Sequence, residues 1–250
     1  MRLTAACLIL IASSLFSEAA LDPDDPEADS ILDAVVARLP QTPLDIHGKL
    51  TVRRPRGIPV QELGFDMTLR WGQTPSTATY TIRDAFDTVL EQMTFVRDAE
   101  AAVQVAYAAG DPPRETTAPN LASAIQKTDL SWVDISLAFL WWRHAVLVGQ
   151  ESIRGRACFV IDAPAPAAAT PALSTDKTYA AVRLWIDREL LMLLQAESYD
   201  ASAALQRRLW VKSFKKIDER WMIKDMEIQS FPVVHRTKLR IQEVNERDDQ

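Results

Sequence analysis

Acid–base, nucleophilic and metal-assisted chemistry would fall to few side chains in this chain. They are His47, His144 and His235, and Cys158 once the N-terminal apolar run holding Cys7 is set apart. A hydrolase needs an activated nucleophile beside its base, and no Gly-x-Ser-x-Gly elbow is present. The three histidines fall on three different strand-like segments, none forms a helical metal pair, and one cysteine gives no zinc spacing. Asp187 and Glu189, like Asp225 and Glu227, stand at strand ends or on polar faces, where solvated surface charge is the expected role. Cys158 alternates with Ala157 and Phe159 and reads as a small buried hydrophobe, not a reactive thiol. These residues point to no enzyme, no cofactor and no metal.

The distinctive chemistry is apolar. In the run from Asp129 to Trp142, DLSWVDISLAFLWW, Ser131 at an N-cap and Asp134 three residues on predict a capped helix over 131–142. Past the cap, Ile135, Leu137, Ala138, Phe139, Leu140, Trp141 and Trp142 surround it on nearly every side. A helix apolar all round is buried, inserted in a membrane, or laid over an apolar ligand. Spanning takes about twenty apolar residues, more than this run supplies. Two uses are left, a plug in the core or a lid over a cavity. Trp132, Leu137, Phe139, Leu140, Trp141 and Trp142, with Phe159, Trp185 and Trp210 on strands, are the candidate lining residues, though plain core packing would bury them alike. Arg70 and Arg183 each stand among Met, Leu and Trp. Turned inward, either would latch the helix by bonding its unpaired last carbonyls; turned outward, either is an ordinary surface arginine.

Strands must position these residues. Ile46, Gly48, Leu50 and Val52 alternate with polar neighbours, as do Leu63, Phe65, Met67 and Leu69, and the period of two recurs to Val244. A helix over about 30–39, stopped by Pro40, precedes them, and short helical candidates over 120–127 and 131–142 interrupt them. The segments at 179–187 and 190–199 are apolar on both faces, which suits a helix-packed face with a cavity face or simple two-sided burial. About a dozen strands joined by short turns pair antiparallel and must curl, predicting a mainly β fold with short helices, an unclosed or closed barrel.

A net charge of −6 and a pI of about 5.2 exclude the electrostatic footprint of a nucleic-acid binder. The one basic cluster, Arg207-Arg208 to Lys215-Lys216, alternates with apolar residues and is expected as a solvated strand face. Residues 1–19 read as a secretory signal cleaved near Ala19, with a positive start, an apolar run too short to span a membrane, and small residues at its end. An acidic leader over 20–29, a single domain over 30–245 containing a Pro/Ala-rich loop at 163–174, and a polar tail over 246–250 complete the division.

The helix string DLSWVDISLAFLWW, the strand YAAVRLWIDRE, the pair Tyr199-Asp200, the strand LQRRLWVKSFKKI, Trp221 and Arg236-Thr237-Lys238-Leu239 occur in an order that resembles the bacterial outer membrane lipoprotein-sorting proteins of the LolA-like superfamily. The resemblance covers about residues 30–245, and departs from the family only in lacking a glycine in the turn after Asp200. It implies an unclosed antiparallel barrel with an N-terminal helix and a helical lid over an apolar cavity. It also implies a periplasmic carrier that shields lipid or lipoprotein acyl chains on the way to the outer membrane, with inner- or outer-membrane proteins as loading and receiving partners. The barrel shape also resembles periplasmic sensors that bind the outer domain of a membrane anti-sigma factor, for which lipid would be a signal and not a cargo.

Overall fold

The computed structural model describes residues 27–98, 103–167, 178–217 and 220–247. The signal sequence, residues 20–26 of the acidic leader and most of the Pro/Ala-rich loop expected above lie outside the described residues. Helix α1 (Ala28–Ala37) opens the described chain, followed by β1 (Leu44–Arg53), β2 (Pro59–Arg70), β3 (Ser76–Arg83), β4 (Val89–Arg97), β5 (Gln104–Ala109) and β6 (Arg114–Thr116). After the one-turn helix α2 (Trp132–Ile135) come β7 (Val146–Ile153), β8 (Arg156–Pro164), β9 (Ala181–Asp187), β10 (Leu193–Tyr199), β11 (Leu205–Ile217), β12 (Arg220–Ser230) and β13 (Arg236–Glu246).

The strands form one antiparallel sheet in the order β6-β5-β4-β3-β2-β1-β13-β12-β11-β10-β9-β8-β7. Every neighbour is a sequence neighbour except β1 with β13, which joins two meanders. The sheet is curled but not closed, and β6 and β7 are its two edges. That topology dictates the lid: the chain between Thr116 and Val146 must travel from one edge to the other, and it does so across the inner face. Leu121, Ile125, Leu130, Trp132 and Phe139 on this crossing share one core with Leu50, Phe65, Ile82, Ile161 and Leu184 of the sheet.

Alternation explains the inner face. Along β1, Leu44, Ile46, Leu50 and Val52 are buried while the residues between them are not. Gly48 falls in the buried phase at the point where the β1–β13 register shifts, and the Phe65 ring occupies the space a side chain would need. A Cβ there would lie 2.4 Å from both Phe65 Cζ and the Arg240 carbonyl oxygen. Within 179–199, Leu190 to Leu193 at the turn into β10 line a cavity, whereas Trp185 and Leu194 on the second apolar face of the strands do not. Cys158, Val160, Trp185 and Leu194 form a small separate cluster on the outer side, with Ile153 and Phe214 packed on it.

Two helical expectations are corrected. The helix predicted over 131–142 ends after one turn, because the Ser136 hydroxyl donates to the Trp132 carbonyl at 2.6 Å and Leu137 takes a left-handed conformation, φ 49°. A 3-10 turn over Ala138–Trp141 follows in a new direction. The segment 120–127 holds only a 3-10 turn at Ile125–Lys127. The N-cap residue of α1, Glu27, makes no side-chain cap bond, and Asp29 in the first turn does not cap the helix. Asp29 instead accepts the N–H groups of His144 (3.1 Å) and Ala145 (2.9 Å), tying the helix to the chain leaving the lid.

Candidate ligand cavity and lid

The first half of the lid is fastened by a buried polar network. Ser131 caps α2 in a reciprocal box: its Oγ accepts the Asp134 N–H at 3.2 Å, and the Asp134 carboxylate accepts the Ser131 N–H at 2.9 Å. The same carboxylate takes the Tyr179 hydroxyl at 2.7 Å and Arg207 Nη1 at 3.1 Å. Arg207 also donates to the carbonyls of Asp129 (3.1 Å) and Ala122 (3.0 Å), so one guanidinium holds three points of the crossing chain. Burial works against its charge, but Tyr179 and Asp134 outweigh that and hold Arg207 above its ordinary value; burial drives the Tyr179 hydroxyl well up. Asp129 fixes the crossing to the β12–β13 corner, accepting from the Ser230 N–H (3.0 Å) and Thr237 Oγ1 (3.0 Å), with His235 Nδ1 at 2.7 Å. On the far side, buried Glu91 accepts from Tyr107 (2.8 Å) and from Gln126 of the crossing (3.0 Å).

The second half lies over space. A cavity of about 580 Å³ opens between α1, the 3-10 turn and strands β1, β2, β12 and β13, walled by aliphatic side chains such as Val35, Ile46, Met67, Leu140 and Ile241. A smaller one of about 310 Å³ lies against β3 and β4. Trp71, Tyr80, Ser136 and Trp141 line both, so they form the partition between the two chambers.

The expected lining residues divide three ways. Leu137, Leu140 and Trp141 line the large chamber, and Trp141 and Trp142 line the small one. Trp132, Phe139 and Phe159 are core: Trp132 packs edge-on to Tyr107 at 6.4 Å, and Phe139 to Trp142 at 6.4 Å. Trp185 and Trp210 are corrected, since neither reaches a chamber. Trp185 belongs to the outer cluster and donates to Glu151 at 2.8 Å. Trp210 alternates with buried Leu209 and Val211, faces outward, and carries Arg208 and Arg236 over its ring.

The expected latches are corrected as well. Arg183 faces outward and makes a bidentate pair with Asp162 (2.7 and 2.8 Å). Arg70 follows buried Leu69 on β2 and bonds no part of the lid; its Nη1 has no partner among the described residues. The latch is Arg207, placed by the sequence reading on a solvated face. The signal was available, because Arg207 is in phase with Leu205, Leu209 and Val211. Among the described residues no group of His, Cys, Asp and Glu is placed to hold a metal, and no helix is long and apolar enough to cross a membrane. Cys158 is buried, and burial raises its thiol.

An open antiparallel sheet crossed by its own lid is the LolA-like fold, shared with three solved structures. A DUF1329 family protein from Desulfovibrio piger superposes with a TM-score of 0.70 at 15% identity, covering 89% of this chain and 92% of that one. A proposed outer membrane lipoprotein-sorting domain from Vibrio parahaemolyticus gives 0.70 at 14%, covering 89% and 93%. A LolA superfamily protein from Nitrosomonas europaea gives 0.66 at 16%, covering 90% and 96%. A family model described as "Uncharacterized protein" matches residues 108–249, more than half of the chain, and the chain belongs to that family. No curated protein sequence matches.

Proposed function

We propose that this protein is a non-catalytic periplasmic carrier that shields the acyl chains of a lipid or lipoprotein during transport to the outer membrane. The observation that carries the reading is the apolar chamber of about 580 Å³ roofed by the aromatic half of the lid. That volume lies within the ~300–1,000 Å³ of small-molecule sites. At about 0.8 kcal/mol per buried CH₂, a sixteen-carbon chain offers on the order of 12 kcal/mol, which makes a dry, roofed site worthwhile. The likeness to lipoprotein-sorting structures supports the same reading. Export by the signal at 1–19, followed by the leader at 20–29, belongs to this proposal, as do membrane-protein partners for loading and delivery. No nucleic acid enters it.

Native mass spectrometry of the protein purified from cell envelopes tests it. Co-purified lipid is the expected result, and acyl-chain addition should change the tryptophan fluorescence, because Trp71 and Trp141 stand in the partition. A ligand-free protein whose fluorescence ignores acyl chains sinks the carrier.

A further inference from the structure

Arg97 is the last residue of β4, in phase with Met93 and Phe95, so its side chain enters the smaller chamber. Its guanidinium lies over the Trp141 ring, 4.4 Å from the centroid. No carboxylate lines either chamber among the described residues; Arg97 and Arg38 are the only charged lining side chains. Arg38 is occupied by the Leu190 carbonyl at 2.8 Å. Arg97 has no such partner among the described residues. The charged group acting on it is Arg143, of like sign and itself paired with Asp33 at 2.6 Å. Burial first, and Arg143 second, pull Arg97 down to about 10, which leaves it cationic at neutral pH. A partly buried cation without an anion is costly, and stacking on an indole offsets only part of that cost.

A second donor sits beside it. Tyr80 is 2% exposed and lines both chambers, and its hydroxyl makes no hydrogen bond with a described residue. Its ring is held edge-on against Phe95 at 5.9 Å. Burial raises the hydroxyl, so it keeps its proton and can donate it. An unpaired cation and an unpaired hydroxyl thus meet in the small chamber, at the partition with a large apolar one.

We propose that the small chamber is an oxyanion site and that the cargo is an anionic amphiphile. Its carboxylate or phosphate-ester head is held by Arg97 and Tyr80, and its acyl chain lies in the large chamber. This rests on the carrier reading and narrows its cargo by charge. The Arg97 fork supplies paired N–H donors to a planar or tetrahedral oxyanion, and Tyr80 supplies a third donor.

The test compares hexadecanoate, hexadecyl phosphate and hexadecanol for binding to the chain lacking residues 1–19, by displacement of a fluorescent acyl probe. Both anions should bind roughly tenfold to a hundredfold tighter than the alcohol, the range of one or two charge-assisted hydrogen bonds. In Arg97→Gln the anion-to-alcohol ratio should fall toward one. Arg97→Lys should retain part of it, and the isosteric Tyr80→Phe should lower it several-fold, which keeps the test open if Arg97→Gln fails to fold. Acetate and inorganic phosphate should compete poorly, because they leave the large chamber empty. Equal affinity for acid and alcohol, or a ratio untouched by Arg97→Gln and Tyr80→Phe, overturns the oxyanion site and spares the carrier. Free phosphate or acetate binding as tightly as the amphiphiles also overturns it, by making the site one for small anions. Binding of none of the three amphiphiles sinks both proposals.

Discussion

The two halves of the lid are held by opposite means. From Leu121 to Ile135 the chain is tied down by Asp129, Ser131, Asp134, Arg207 and Tyr179, nearly all buried and each bonded to another. From Leu137 to Trp142 the one backbone bond that leaves the turn among the described residues is Leu137 N–H to the Asp134 carbonyl at 3.2 Å; Leu140 to Leu137 at 2.9 Å and Trp142 to Phe139 at 3.3 Å are internal, and the side chains are held by apolar packing and by Arg97 over the Trp141 ring. The junction is the left-handed Leu137. A ligand entering the large chamber can replace apolar contacts of the second half with its own. It has nothing to offer the first half, whose buried carboxylates and guanidinium would be left unpaired by movement. The division therefore assigns rigidity to 121–135 and exchange to 137–142.

Removing Arg207 is the strongest way to break this contrast. Arg207→Ala leaves the buried Asp134 carboxylate and the Asp129 and Ala122 carbonyls short of a donor, and it should cost about 3–5 kcal/mol in urea unfolding, the cost of stranding one member of a buried pair. Arg208→Ala, one residue away on the outer face, should cost less, since the Arg208 side chain is 34% exposed and its partner Glu197 keeps the Gln195 amide and the Tyr199 hydroxyl as donors. Equal losses at the two positions would mean that the network does not anchor the lid.

Much of this was legible in the chain, and the failures have one cause. Strand rhythm and the antiparallel pairing follow from period-two alternation, and the Ser131–Asp134 box from local capping chemistry, whereas the unclosed form of the sheet is implied by the family resemblance and not by the period. For Trp185, Trp210, Arg70 and Arg183, residue type and neighbourhood point inward while their phase along the strand decides their face. Trp210 is out of step with Leu209 and Val211, and Arg70 with Met67 and Leu69; Arg207 and Arg97 are in step with buried partners. The break at Leu137 had no comparable signal. It depends on Ser136 taking the Trp132 carbonyl and on the space the sheet leaves for the aromatic turn. Tertiary context of that kind overrides propensity.

A polar cluster in the sheet sharpens the comparison from another side. Burial pushes the Asp225 carboxyl up, but hydrogen bonds from Ser213 (2.6 Å) and Arg240 (2.7 Å) and the nearby Lys238 outweigh it and bring it down to about 2. A folded-state value below the ordinary 3.8 means this stabilisation is present above about pH 4 and lost as pH falls toward 2. It amounts to about 2 kcal/mol at neutral pH. Asp225→Asn should therefore lower the melting temperature at pH 7 and flatten its fall between pH 4 and 2, while Asp66 and Asp187, also lowered, keep their own share of that fall. An unchanged acid slope would show that Asp225 takes up no extra proton on unfolding, and the acid sensitivity would then belong to other carboxylates.

The smallest expected effect on stability falls on the exchanging half. Trp141 is only partly buried, and its ring faces both chambers, so it already lacks packing partners on much of its surface. Trp141→Ala should cost about 1 kcal/mol, against the ~3–5 kcal/mol of a fully packed tryptophan such as Trp132. Its effect should appear in the cavity instead, as two chambers merged into one and a weaker response of fluorescence to acyl chains. Unfolding curves of Trp141→Ala and Trp132→Ala, measured side by side, decide the point. If Trp141→Ala is as destabilising as Trp132→Ala, the aromatic turn is a structural plug, and the half of the lid read as exchangeable is as fixed as the half that Arg207 holds.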